Sequence, residues 1–164
     1  MGPSDMADEK REFLRYTLAT LAYRGGKAVR GATQEFAEFR IGESPKTPAK
    51  ILAHIGDLLD WAAVMAEGKP TWHDSEPLPW DEEAKRFHAA LQRFDEYLAS
   101  ERPLAASAEV LFQGPIADAL THVGQIAMLR RLAGVATKGE NYAKADIVVG
   151  RVGAEQTAPK RVFD

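Results

Sequence analysis

The feature that most constrains this chain is a set of four long stretches in which apolar residues return every three to four positions, each stretch bounded by proline or glycine. That period is the signature of an amphipathic helix. The first stretch covers residues 7–32, with Leu14, Leu18, Leu21, Gly25, Ala28 and Ala32 on one stripe. Gly25 on the stripe predicts a close approach by another backbone, with a helix break at Gly25-Gly26 as the alternative. The second covers residues 48–67: Thr47 is a good N-cap, Pro48 suits the first helical position, and Gly68 suits the stop. The third covers residues 80–100. It opens on Asp81, Glu82 and Glu83, which suit the positive end of a helix dipole, and buries Phe87, Leu91, Phe94 and Leu98. The fourth covers residues 115–133, starting at Pro115 after a break at Gly114, with Arg130 and Arg131 at its negative end. Four such helices predict an all-α four-helix bundle. Its connections, residues 33–46 (anchored by Phe36, Phe39 and Ile41) and the Pro-rich 69–79, are long.

The remainder of the chain organises around that unit. Residues 1–6 are expected to lie outside the fold, as a disordered or appended N-terminus, and residues 7–134 form one domain. Residues 135–164 read as an irregular C-terminal tail, with a turn near residues 142–145 and with Ile147, Val148, Val149 and Val152 lying on the helices. The 164 residues carry no cysteine and a formal charge of -3. The missing cysteines exclude a disulfide scaffold, a thiolate zinc or iron–sulfur site, and a thiol nucleophile. The balanced charge argues against nucleic acid as a partner. No apolar run approaches the roughly 18 to 20 residues of a membrane span. The expectation is a cytoplasmic protein acting on a small molecule, with a homodimer left open as its assembly.

The four histidines differ in setting. His73 lies in the Pro-rich loop and is expected to be exposed, and His88 is expected on a solvated flank. His54 shares a helical face with Ile51, Leu58, Trp61 and Met65, so it points inward. Asp118 and His122 are four residues apart on the fourth helix and stack on one face, with Gln125 following at i+7. A carboxylate, an imidazole and an amide on an inward stripe must pair or bind something. Two accounts fit: a hydrogen-bonded network in which Asp118 orients His122, or a metal site built from His54, Asp118 and His122. Two imidazoles and one carboxylate with open positions suit divalent zinc, nickel or iron. Phosphate-binding glycine loops, H-E-x-x-H, the Glu-x-x-His pairs of di-iron bundles and an elbow serine are all absent. Arg24, Lys27 and Arg30, with Arg40 and Lys46 beyond, read as a solvated basic face. Trp72 and Trp80 flank the Pro-rich loop, where they either line a pocket mouth or pack the loop down.

Two segments carry a resemblance. LAHIGDLLDWA (residues 52–62) and DALTHVGQIAMLRRLAG (residues 118–134) are similar to the corresponding helices of the DinB/YfiT-like metal-binding four-helix-bundle superfamily. The marks are His54 followed by Asp57, then the H-x-G-Q run from His122 to Gln125 and the L-R-R-L-x-G run from Leu129 to Gly134. The resemblance spans residues 7–135 and implies two crossover-type connections and a metal between the second and last helices. The usual ligands there are three histidines. His54 and His122 match two of them, and Asp118 stands where the third would be. Gln125 is then expected as an outer hydrogen-bond donor, and Asp57 as an outer structural acid. The resemblance further implies a divalent-metal-dependent enzyme of the thiol S-transferase kind, using a low-molecular-weight thiol. The alternative is a non-catalytic, metal-free bundle acting as a binding or stress-associated protein.

Overall fold

The computed structural model of the chain describes residues 2–163. It is all-helical: among the described residues there is no strand, only an isolated bridge between Glu140 and Val162. Helix α1 spans Pro3–Val29, α2 Gln34–Ala37, α3 Pro48–Glu67 and α4 Trp80–Ala99. A short α5, Ala108–Leu111, runs through a π-helical turn, Phe112–Ile116, into α6, Ala117–Leu132. No helix is long and apolar enough to cross a membrane, among the described residues.

Local chemistry sets the boundaries. Thr47 accepts a hydrogen bond from the Lys50 amide, and Pro48 follows at the first position of α3. Gly68 ends the helix at φ 85°, a left-handed conformation that glycine adopts without strain. At the N-terminus, residues 3–6, expected outside the fold, form the exposed first turn of α1. The Gly2 amide donates to the Asp5 carboxylate and Pro3 occupies the first position, so the start signal lies four residues earlier than the apolar stripe suggests. Helix α1 stays continuous through Gly25 and Gly26 and stops at Val29 rather than residue 32. What approaches Gly25 is a side chain, not a backbone: a Cβ there would lie 2.6 Å from Phe87 Cζ.

The second departure is at Pro115. Instead of starting a helix, it sits inside one that begins at Ser107, whose side chain accepts from the Val110 amide. Proline has no N–H and crowds the preceding turn. Widening that turn removes the conflict: the Ala117 amide bonds back to Phe112, five residues earlier.

Long-range bonds give the helix directions. Arg11, early in α1, donates to carbonyls of Tyr97, Leu98 and Ser100 at the end of α4, so α1 and α4 are antiparallel. Arg130 is buried at the end of α6 and donates to the carbonyls of Ala28 and Arg30 at the end of α1, so these two run parallel. Contacts from α3 to α4 advance in step, Ala53 with Arg86 and Glu67 with Arg93, which makes them parallel. Only residues 68–79 therefore cross from one end to the other. The connections on either side, residues 30–47 and 100–107, each stay at one end, which corrects the expected pair of crossovers. One core lies between the four long segments, and Phe87, Leu91, Phe94 and Leu98 are all within it.

The tail lies across α1 and α4. Val152 is fully buried, Ile147 and Val149 are half-buried, and Val148 is exposed. Buried Glu140 accepts from Tyr23 and Lys27, and burial together with that carboxylate raises the Tyr23 phenol to about 12. Lys27 thus belongs to a structural ion pair, while the Arg24 guanidinium lies 3.9 Å from the Tyr142 ring centre. The expected solvated flank at His88 is instead covered: its Nδ1 lies 3.2 Å from the Val152 carbonyl, and burial lowers its pKa. In the first connection Phe36 is buried against Trp80 and Phe39 half-buried, but Ile41 is exposed.

Candidate metal centre

His54 lies two turns into α3, on the face that also carries buried Ile51 and Leu58. Asp118 is in the first turn of α6, and His122 stands one turn beyond it. Because α3 and α6 pack side by side, the three side chains meet. One ligating atom from each lies within 4.8 Å of the other two. The imidazole centres of His54 and His122 are 4.6 Å apart. The two Asp118 oxygens divide between them, Oδ1 3.3 Å from His122 Nδ1 and Oδ2 3.6 Å from His54 Nε2. The cluster sits at the rim of the core rather than inside it: the side chain of Asp118 is 46% exposed, that of His54 33% and that of His122 14%. Solvent can therefore reach the space they enclose.

The backbone of α6 orients His122. His122 Nδ1 lies 2.7 Å from the Asp118 carbonyl oxygen, so Nδ1–H donates and the Nε2 lone pair is left free. Fixing one imidazole nitrogen to a carbonyl is how a histidine is presented to a metal through the other. The donor set of two imidazoles and a carboxylate fits a divalent ion such as zinc, nickel or iron.

Two neighbours shape the site. Trp72, carried by the 68–79 crossing segment, packs edge-on against His54 at 5.6 Å and against Trp61 at 5.8 Å. It packs against the site from that side, whereas Trp80 is buried and donates its indole N–H to the Val29 carbonyl. A cavity of about 200 Å³ opens beside the histidines, lined by Lys46, Lys50, Ile51, His54 and His122. Lys46 was expected only as part of a solvated basic face, and Lys50 carried no expectation. The available signal was Lys50 in the first turn of α3, where a helix dipole disfavours a cation.

Gln125 and Asp57 do not join the trio. Gln125 is exposed and makes no hydrogen bond to it among the described residues; it lies only about 20° round the helix from half-exposed Asp118, at the edge of the solvent face that carries Gly124 and Met128. Helix α6 is therefore not inner all round, and Leu132 is also exposed. Asp57 is buried and accepts from the Ser75 amide at 2.9 Å, the Ser75 hydroxyl at 2.6 Å and the Arg86 guanidinium. Among the described residues it makes no hydrogen bond or ion pair with His54, Asp118 or His122. Its effect on the site is indirect, because it pins the crossing segment three residues after Trp72. His73 is exposed.

No protein-family model matches the chain, and no curated protein or solved structure matches it.

Proposed function

We propose that the chain is a DinB/YfiT-like four-helix bundle that holds a divalent metal ion at His54, Asp118 and His122 and acts as a metal-dependent enzyme of the thiol S-transferase kind. The observation that supports this reading is the convergence of the three donor atoms within 4.8 Å at a solvent-reached rim. Bound there, zinc, nickel or iron would lower the pKa of a coordinated thiol or water and so supply a nucleophile. The protein's own part is positional. His122 keeps Nε2 free to ligate because Nδ1–H is held by the Asp118 carbonyl, and Asp118 would supply negative charge. Trp72 shields one side of His54 from water. A small-molecule thiol substrate and a cytoplasmic setting belong to the same reading.

A second reading is favoured by Asp118 itself. Each of its oxygens already faces one imidazole, so a metal-free, non-catalytic bundle keeps the carboxylate beside both histidines without an ion. Metal analysis of protein purified without a chelator or histidine tag separates the two. The expected result is about one ion per chain, lost in His122→Ala and retained in His88→Ala. Wild-type protein that takes up no zinc, nickel or iron would establish the second reading.

A further inference from the structure

We propose that Lys46 and Lys50 make the open side of the metal cavity an anion-recognition site, so that its ligand is a small molecule carrying a carboxylate or phosphate. The site takes this class because the side chains that line the cavity beside Ile51 and the two imidazoles are both lysines. Neither lysine has an ion-pair partner among the described residues. The chain as a whole is acidic, at -3, so two unpaired ammonium groups at one cavity are a local inversion of its charge. Lys50 also occupies the first turn of α3, which carries no acidic residue. A cation there is unfavourable for the helix, so the folded state alone gives no reason for it.

Size narrows the class further. A cavity of about 200 Å³ has the volume of only about six or seven water molecules at roughly 30 Å³ each. That admits a ligand with one anionic group at the lysines and one short arm towards the histidines, and excludes a polymer. Thr47, Ala49 and Lys50 also line a larger neighbouring groove, of about 1060 Å³, between α2 and the start of α4. Lys50 thus stands between the two spaces, and a longer ligand anchored on it would extend away from the histidines into that groove. The inference rests on the metal reading only for what the short arm binds; the anion site is a property of the lysines and the cavity.

The test has two arms so that the two ideas fail separately. In the first, chelator-treated, metal-free protein is titrated with succinate and with inorganic phosphate at pH 8 and followed by amide NMR. Saturable shifts at Lys46, Lys50 and His54 are expected with one of the two, and which one assigns the anionic group. In the second, zinc-loaded protein is titrated with mercaptosuccinate and with 2-mercaptoethanol. The charged thiol is expected to bind roughly fivefold to tenfold more tightly, the scale of two exposed charge contacts. Lys46→Met with Lys50→Met should abolish both the shifts and the preference, with metal content and circular dichroism unchanged. No shift with either anion, or a preference that survives in the double variant, would overturn the proposal. Failure to load zinc would remove the metal reading, and the first arm would still decide the anion site.

Discussion

Two charged clusters flank α3, and they are built on opposite principles. On one side Asp57, Arg86, Glu83 and Asp60 gather with Ser75; on the other His54, Asp118 and His122 meet. In the first, Asp57 is 2% exposed and saturated by three donors, and Arg86 reaches Glu83, Asp60 and the Ala53 carbonyl as well. In the second, every side chain is at least 14% exposed and the carboxylate–imidazole separations are 3.3 and 3.6 Å, beyond good hydrogen-bonding distance. A carboxylate saturated by its neighbours, as Asp57 is, needs no ligand. A cluster that brings donors together without closing on itself has capacity left for one. The difference marks the first as structural and leaves the second able to take a ligand, although they lie one helical turn apart.

The largest expected effect separates the two by stability. Arg86→Met leaves Asp57 and Glu83 buried without their cation, and removing one partner from a buried pair costs about 3 kcal/mol or more. Asp118→Asn, at a half-exposed site, should cost no more than about 1 kcal/mol in metal-free protein. Urea unfolding of both variants measures this. Equal losses would mean the open cluster is structural too.

An acid titration of stability sharpens the same contrast within the closed cluster. Burial pushes the Asp57 carboxyl up, but the Ser75 bonds and Arg86 outweigh it and hold the group below its ordinary 3.8. Its contribution is therefore present above 3.8 and lost as pH falls through the lower folded value. Glu83 behaves oppositely. Burial outweighs the pull of Arg86 and raises it above 4.5, and its Oε2 has no partner. Its contribution is present below 4.5 and lost as pH rises through the raised folded value. In unfolding free energies from pH 7 to 3, the advantage of wild type over Asp57→Asn should shrink towards the acid end. Against Glu83→Gln, wild type should gain between pH 7 and 4.5. Parallel curves for the two variants would show that the shared arginine does not divide its effect in this way.

How much of this was legible depends on sequence distance. Thr47, Pro48 and Gly68 mark the ends of α3 by chemistry confined to a few residues. The stripe of Phe87, Leu91, Phe94 and Leu98 follows from helical period alone. The meeting of His54 with Asp118 and His122 was readable because an i, i+4 pair and an inward histidine each depend on one helix, and only their packing had to be supplied. The closed cluster was not readable, since Asp57 finds Ser75 in an irregular segment and Arg86 on another helix. His88 was misjudged for a similar reason: what covers it is Val152, 64 residues away in a tail with no period. Pro115 misled locally, because a break and a π-turn have the same sequence signal and differ only in whether a helix is already running.

The smallest expected effect concerns Gln125, where the sequence and the structure point apart. Its position three residues after His122 and the H-x-G-Q run suggest an outer donor to the metal cluster. Its side chain is exposed and bonded to no member of the trio. An exposed residue without a specific contact changes stability by less than about 0.5 kcal/mol when truncated. An outer donor that orients a ligand changes metal affinity about 10- to 100-fold. Gln125→Ala should therefore leave both unfolding and zinc affinity where they are, as isothermal titration and urea unfolding would measure. A tenfold fall in affinity with stability unchanged would mean that Gln125 turns inward when the ion binds. The open cluster would then extend a turn further along α6 than its metal-free geometry indicates, and the distinction between the two flanks of α3 would rest on the bound state rather than the free one.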